Sequence, residues 1–365
     1  MPVKSVATVT MVHRFRGPAP REIGERERVA APEDQYWSPV IDAFLMRGRL
    51  ARRLTEPMVL HAESEVLKTL QHERKARSLV VEATDAGAWP VSPNGLQSAQ
   101  TEDPSASAGD QWVWLAWLTL RLSVDEADGH DNALAQVQSF LSEYHVWAPS
   151  YPGAPVPVLA SDDAAGGTIL SILAECLPPT AQYLTASLKD GIFDQRFGVW
   201  ALVDSGVFPP DDGTLRALID IDPPSGMDAP AAWRNDWLSV RTYRRWPEVV
   251  YGFTHHSGLV IHGGVPWIEG LCRPRFPLEG ARGEGCYFDM ALLVFGECAL
   301  EAEVRRMRTA SDLGFAQGAS IEIAEGTLRA LDEALWSPVD QGRALAALWR
   351  RVARSDLGFP EECRW

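Results

Sequence analysis

The chain has 365 residues, 46% of them hydrophobic and 23% charged, a globular composition that excludes a fibrous or wholly disordered polypeptide. Its 34 Lys and Arg against 49 Asp and Glu leave a net charge of -15, which argues against a nucleic-acid partner, since phosphate binding needs a surplus of cations. The five cysteines, Cys176, Cys272, Cys286, Cys298 and Cys363, are odd in number and irregularly spaced, which excludes a secreted disulfide framework and reads as reduced thiols.

The start, MPVKSVATVTMVHRFRG, lacks an apolar run and cleavage site of the signal-peptide kind. It alternates instead, and Val6 to Arg16 is predicted as a first strand ended by Gly17-Pro18. Residues 39–54 place Val40, Ala43, Phe44, Met46, Leu50 and Leu54 near helical spacing, with four arginines toward the C-terminal end, and predict a first helix. The runs MVLHA at 58–62 and SLVVEA at 78–83 flank a charged stretch. They read either as strand, helix, strand or as one longer helix through Lys75. Residues 84–110, rich in Gly, Pro, Ser and acids, are expected to be loop.

Trp112, Trp114 and Leu118 to Leu122 predict a strongly apolar strand, followed by an amphipathic helix over 131–145 with Leu134, Val137, Phe140 and Leu141 on its apolar face. WVWLAWLTL at 112–120 is the longest apolar run, far short of the roughly 20 residues of a membrane-spanning helix. A cytoplasmic protein without membrane contact is therefore expected. SYPGAPVPV at 150–158 reads as a linker. Beyond it, a helix from Gly166 breaks at Pro178-Pro179, 197–204 has strand character, and 249–263 folds back near His255 to Gly258 as a hairpin. From Gly285 the periodicity becomes helical, with further helices over 319–336 and 339–354.

The expected fold is α+β: an α+β domain over 1–160 with small sheets, a second mixed region over 161–284, and an antiparallel helical bundle over 285–365. Charge is unevenly spread across it. Residues 81–225 carry 20 acidic and 4 basic side chains, whereas the ends are near neutral and rich in Arg, so the acidity marks a solvated middle rather than the character of the partners.

Three groups of residues could carry chemistry. His255, His256 and His262, with Cys272 ten residues beyond, have ligand types that suit zinc, but no CxxC or HExxH accompanies them, and no metal or other cofactor is favoured. Gly263 and Gly264 have the look of an oxyanion-hole turn, yet no GxSxG nucleophile elbow occurs, and strand termination is the simpler reading. Acids cluster at Asp125, Glu126, Asp128 and Asp131 and at Asp220, Asp222 and Asp228. They lack the ligand order of a calcium loop, and helix capping by Asp128 or Asp131 explains the first group.

A further group interleaves Trp233, Trp237, Tyr243 and Trp246 with Arg234, Arg241, Arg244 and Arg245. Trp, Tyr and Arg are the residues that dominate protein interfaces; the alternative is cation–π packing inside one domain. Trp233, Trp237, Arg241, Tyr243, Arg244, Arg245 and Trp246 are the interface candidates.

Residues 241–264, RTYRRWPEVVYGFTHHSGLVIHGG, and 285–307, GCYFDMALLVFGECALEAEVRRM, together resemble a bacterial family described as CorA-like. The matching positions are Tyr243, Arg244, Arg245, Trp246, Tyr251, Gly252, Ser257, Tyr287, Phe288 and Leu292. The resemblance implies an α/β region joined to elongated helices that pack against neighbouring subunits. Ion transport is not implied, because no Gly-Met-Asn pore motif is present. The expected function is a non-catalytic interaction or regulatory component, binding a protein partner or itself, within a bacterial stress or conflict system. The alternative is a hydrolase or metal-dependent enzyme built on His255, His256 and His262 with Asp220 and Asp222.

Overall fold

The structure, a computed structural model, describes residues 3–18, 50–62, 68, 72, 79–91, 112–125, 129–145, 157–161, 167–190, 197–206, 208–221, 231–254 and 257–264. Its centre is one sheet of nine strands: β1 (Val3–Gly17), β2 (Leu50–Ala62), β3 (Val80–Val91), β4 (Trp112–Asp125), β5 (Leu159–Ser161), β6 (Gly198–Asp204), β7 (Thr242–Trp246), β8 (Val249–Phe253) and β9 (Ser257–His262). The order across the sheet is β5-β2-β3-β4-β1-β6-β9-β8-β7. Every neighbouring pair is antiparallel except β6 and β9, which run parallel.

This corrects the expected fold. In place of small sheets in two separate regions, strands from both sides of residue 160 are hydrogen-bonded into one strand-rich, mixed sheet. The helical bundle expected over 285–365 lies outside the described residues, as does the helical part expected over 39–49. Leu50 to Leu54, assigned to that helix from apolar spacing, are instead the start of β2, where Leu50 faces Ala88 and Arg53 faces Asp85. Helical spacing over a few residues does not survive a long antiparallel partner.

The expected loop at 84–91 is likewise strand. Its Ala86, Gly87 and Ala88 resemble turn composition, but the helix Ile169–Cys176 packs across β3 and β4, and the core-facing positions of β3 are Val81, Ala83, Ala86 and Ala88, all buried. Small residues there let a helix approach the sheet closely.

Among the described residues, the helices beside the sheet are α1 (His130–Tyr144), α2 (Ile169–Cys176), α3 (Thr185–Asp190), α4 (Asp212–Asp220) and α5 (Ala231–Arg241), with a 3₁₀ turn at Pro179–Leu184. The break before that turn falls at Pro178-Pro179, where a ring replaces a backbone donor. The apolar stripe of α1, Leu134, Val137, Phe140 and Leu141, is buried in the core. Its N-cap position, however, is Gly129, with no side-chain capping bond, in place of the expected Asp128 or Asp131.

One face of the sheet carries Val9, Met11 and Phe15 of β1, Trp114 to Val124 at alternate positions of β4, and Val199, Ala201 and Val203 of β6, packed in one apolar cluster with the helices. The other face is also buried at its centre. Asp85, Thr119, Thr10, Trp200, Gly258 and Phe253 stand opposite one another in register across six strands. The side chains of Asp85, Thr119, Thr10, Trp200 and Phe253 are all buried, and the Thr10 and Thr119 hydroxyls meet at 3.1 Å. Burial on both faces explains why β4 and β6 read as continuous apolar runs rather than alternating ones.

Candidate functional site

Two regions of the described molecule gather functional side chains, one at the carboxyl end of the parallel strand pair and one at the edge of the sheet.

Parallel β6 and β9 end together, with Asp204 in register with His262. Because β1 is antiparallel to β6, its first residues arrive at the same end, and Lys4 Nζ lies 3.1 Å from Asp204 Oδ2. Asp204 Oδ1 accepts the Gly206 N–H at 2.8 Å, closing a turn in which Gly206 has φ 62°. The Ser205 N–H and hydroxyl both donate to the His262 carbonyl, at 2.8 and 3.0 Å. Gly263 follows, and a Cβ on it would come within 2.5 Å of the Phe208 Cβ; the chain needs a glycine here so that the loop after β6 can close over it.

Asp204 is buried, with a side chain 6% exposed. Burial pushes its carboxyl pKa up, but the Gly206 N–H, the hydrogen bond and charge of Lys4 and the charge of His262 together hold it below the ordinary value. This anchors a carboxylate and fastens three strand ends. Ligands of open α/β sheets sit beyond the carboxyl ends of parallel strands, and the Lys4–Asp204 pair lies at that end of β6. Asp204, Lys4 and Ser205 are absent from the sequence-based candidates. The signal that could have found them is the first carboxylate after the apolar run FGVWALV.

His262 is buried at the end of β9. Ser257 begins the same strand, about 17 Å away at strand spacing. His255, His256, Cys272 and Asp222 lie outside the described residues. Asp220 pairs with Arg216 one helical turn earlier on α4, Nη2 to Oδ2 3.6 Å. Among the described residues, no three His, Cys, Asp or Glu side chains are grouped to hold a metal ion.

The second region is built by α5 and β7. The Thr242 hydroxyl donates to the Leu238 carbonyl at 2.7 Å, satisfying an orphan acceptor at the helix end just where the chain turns into strand. Trp237 is half-buried and packs against the core. The Arg241 Cζ lies 4.7 Å from its ring centroid and the Arg216 Cζ 5.8 Å, so this Trp is used in cation–π contacts within the domain. Tyr243 faces Tyr251 across β7 and β8, ring centroids 6.2 Å apart.

Arg244, by contrast, is exposed on β7, and no carboxylate among the described residues pairs with it. Val240, near the end of α5, is 42% exposed. Trp233 lies on α5, and Arg245 and Trp246 on β7, with Trp246 in register with Val249. β7 is the last strand of the sheet order, and among the described residues no strand is hydrogen-bonded to its outer edge. The structure thus divides the expected Trp/Arg group: Trp237 and Arg241 stack on each other, while Arg244 is exposed on a strand whose outer edge carries no partner strand among the described residues.

The chain matches no protein-family model, and comparisons with curated proteins and with solved structures returned no match. No helix among the described residues is long and apolar enough to cross a membrane.

Proposed function

We propose that this chain is a non-catalytic interaction protein that engages a protein partner through the surface formed by the C-terminal end of α5 and the edge strand β7. The observation that supports it is the exposed Arg244 on a terminal strand, beside the 42% exposed Val240. An edge strand offers unpaired backbone donors and acceptors, and the neighbouring Arg and aliphatic groups supply the orientation and apolar contact that interfaces use. The internal Trp237 stack with Arg216 and Arg241 makes α4 and α5 a firm support for that edge. The hydrolase or metal-dependent alternative is built on His255, His256 and His262 with Asp220 and Asp222; His255, His256 and Asp222 lie outside the described residues, and Asp220 pairs with Arg216.

The reading is tested by affinity capture from the source cell with the tagged full chain, comparing the wild type with Arg244→Glu by quantitative mass spectrometry. A partner enriched by the wild type and depleted at least about tenfold by the substitution, equivalent to about 1.4 kcal/mol, is expected. Identical capture profiles for the two proteins would overturn the assignment of this surface.

A further inference from the structure

The chemistry of β7 narrows what its edge can accept. Backbone pairing alone would admit any extended chain, including a second copy of this one. Antiparallel pairing of two β7 strands over 242–246 would bring Arg244 opposite Arg244, and like charges directly opposite destabilise a ladder. The segment 241–245, RTYRR, holds three Arg and no acid; Arg241 is taken up by its stack on Trp237, and Arg244 is exposed on the strand, while the nearest carboxylates in sequence are Asp236 on α5 and Glu248 in the β7–β8 turn, both exposed. A carboxylate-bearing strand reverses that balance. Guanidinium groups grip carboxylates through paired, directional hydrogen bonds, and the cationic edge discourages neutral and basic strands at the same time.

We infer that the β7 edge takes an extended acidic segment of a partner protein as an added strand, its carboxylates meeting Arg244 and its aliphatic side chains meeting Val240. This rests on the proposed function and adds the partner's chemistry and mode of attachment. Charged edge strands also protect sheets against aggregation; that role alone predicts rejection of every strand, acidic ones included, which is what separates the two.

The test uses a fluorescein-labelled twelve-residue peptide of alternating Glu and Val and its Lys–Val counterpart, titrated with the full chain and followed by fluorescence anisotropy at low and high salt. The Glu peptide is expected to bind, more weakly as salt screens the charges, and the Lys peptide not to bind. Arg244→Glu should weaken the Glu peptide at least about tenfold, and Arg244→Gln by a smaller factor. Should the charge reversal disturb folding, the Gln variant alone decides, because it removes the charge without adding a repulsive one. Equal binding of both peptides, no binding of the Glu peptide, or binding indifferent to Arg244 would overturn the inference. So would light scattering showing a wild-type dimer that Arg244→Glu abolishes, since the edge would then pair with a second copy. Failure of the peptide experiment alongside an Arg244-dependent partner in the capture experiment removes strand addition and leaves the interaction surface standing.

Discussion

Replacing Asp204 by Asn separates two contributions that meet at one carboxylate. The Asn side-chain oxygen can still accept the Gly206 N–H, which Asp204 Oδ1 takes at 2.8 Å, but the charge facing Lys4 at 3.1 Å is lost. The pair is intermediate between surface and core, with side chains 37% and 6% exposed. Exposed ion pairs contribute about 0 to 1 kcal/mol and hydrogen bonds to charged groups about 1.5 to 3 kcal/mol, so Asp204→Asn should cost about 1 to 2 kcal/mol at pH 7. Asp204→Ala, which also abandons the Gly206 N–H, should cost about 1 kcal/mol more. The pH dependence has a definite sign. The folded carboxyl is held below its ordinary value of 3.8, so its contribution is present above that value and disappears as pH falls through the lower, folded one. Urea denaturation of wild type and Asp204→Asn from pH 7 down to pH 2 checks this. The two stability curves should converge at the acid end. A gap that stays constant with pH, or an Asn variant as stable as the wild type at pH 7, would refute the role given to the Lys4–Asp204 pair.

Further outcomes follow from particular contacts. Gly258→Ala would drive a Cβ into the ring of Trp200, a fully buried side chain on the neighbouring strand, and should destabilise by about 1 to 3 kcal/mol, seen as a lower urea midpoint with unchanged m-value. Asp211 caps α4 by accepting from the Gly213 and Thr214 N–H groups at 2.9 and 3.0 Å; Asp211→Ala should cost about 1 kcal/mol, measured the same way. Trp237→Leu removes the ring between Arg216 and Arg241 and should lower the melting temperature by a few degrees, whereas Arg244→Glu, at an exposed position, should leave it within about one degree.

Parts of this fold were legible in the sequence for identifiable reasons. Alternation marked β1, the apolar run 112–120 marked β4, and the fold-back in 249–263 is the β8–β9 hairpin, because each is a local pattern matching a local structure. What failed is what depends on distant partners. Leu50 to Leu54 carry helical spacing but pair with β3, and Ala86 to Ala88 look like a loop because they are small for the sake of a helix on top of them. Closure of the strands into a single nine-stranded sheet depends on β1 sitting between β4 and β6, a pairing no local pattern announces. At the candidate site the sequence singled out 233–246 as one group but could not distinguish Trp237 and Arg241, which stack inside the domain, from Arg244, exposed on β7. The Lys4–Asp204 contact spans almost two hundred residues of chain and left no trace in spacing.

Amide hydrogen exchange of β7 tests the central claim most directly. With the alternating Glu and Val peptide added to the full chain, exchange at residues 242–246 should slow, because an added strand gives the backbone groups of β7 hydrogen-bond partners, and the slowing should be lost in Arg244→Glu. Unchanged exchange across β7 at peptide concentrations that saturate binding, or protection appearing instead around Asp204 and His262, would contradict it.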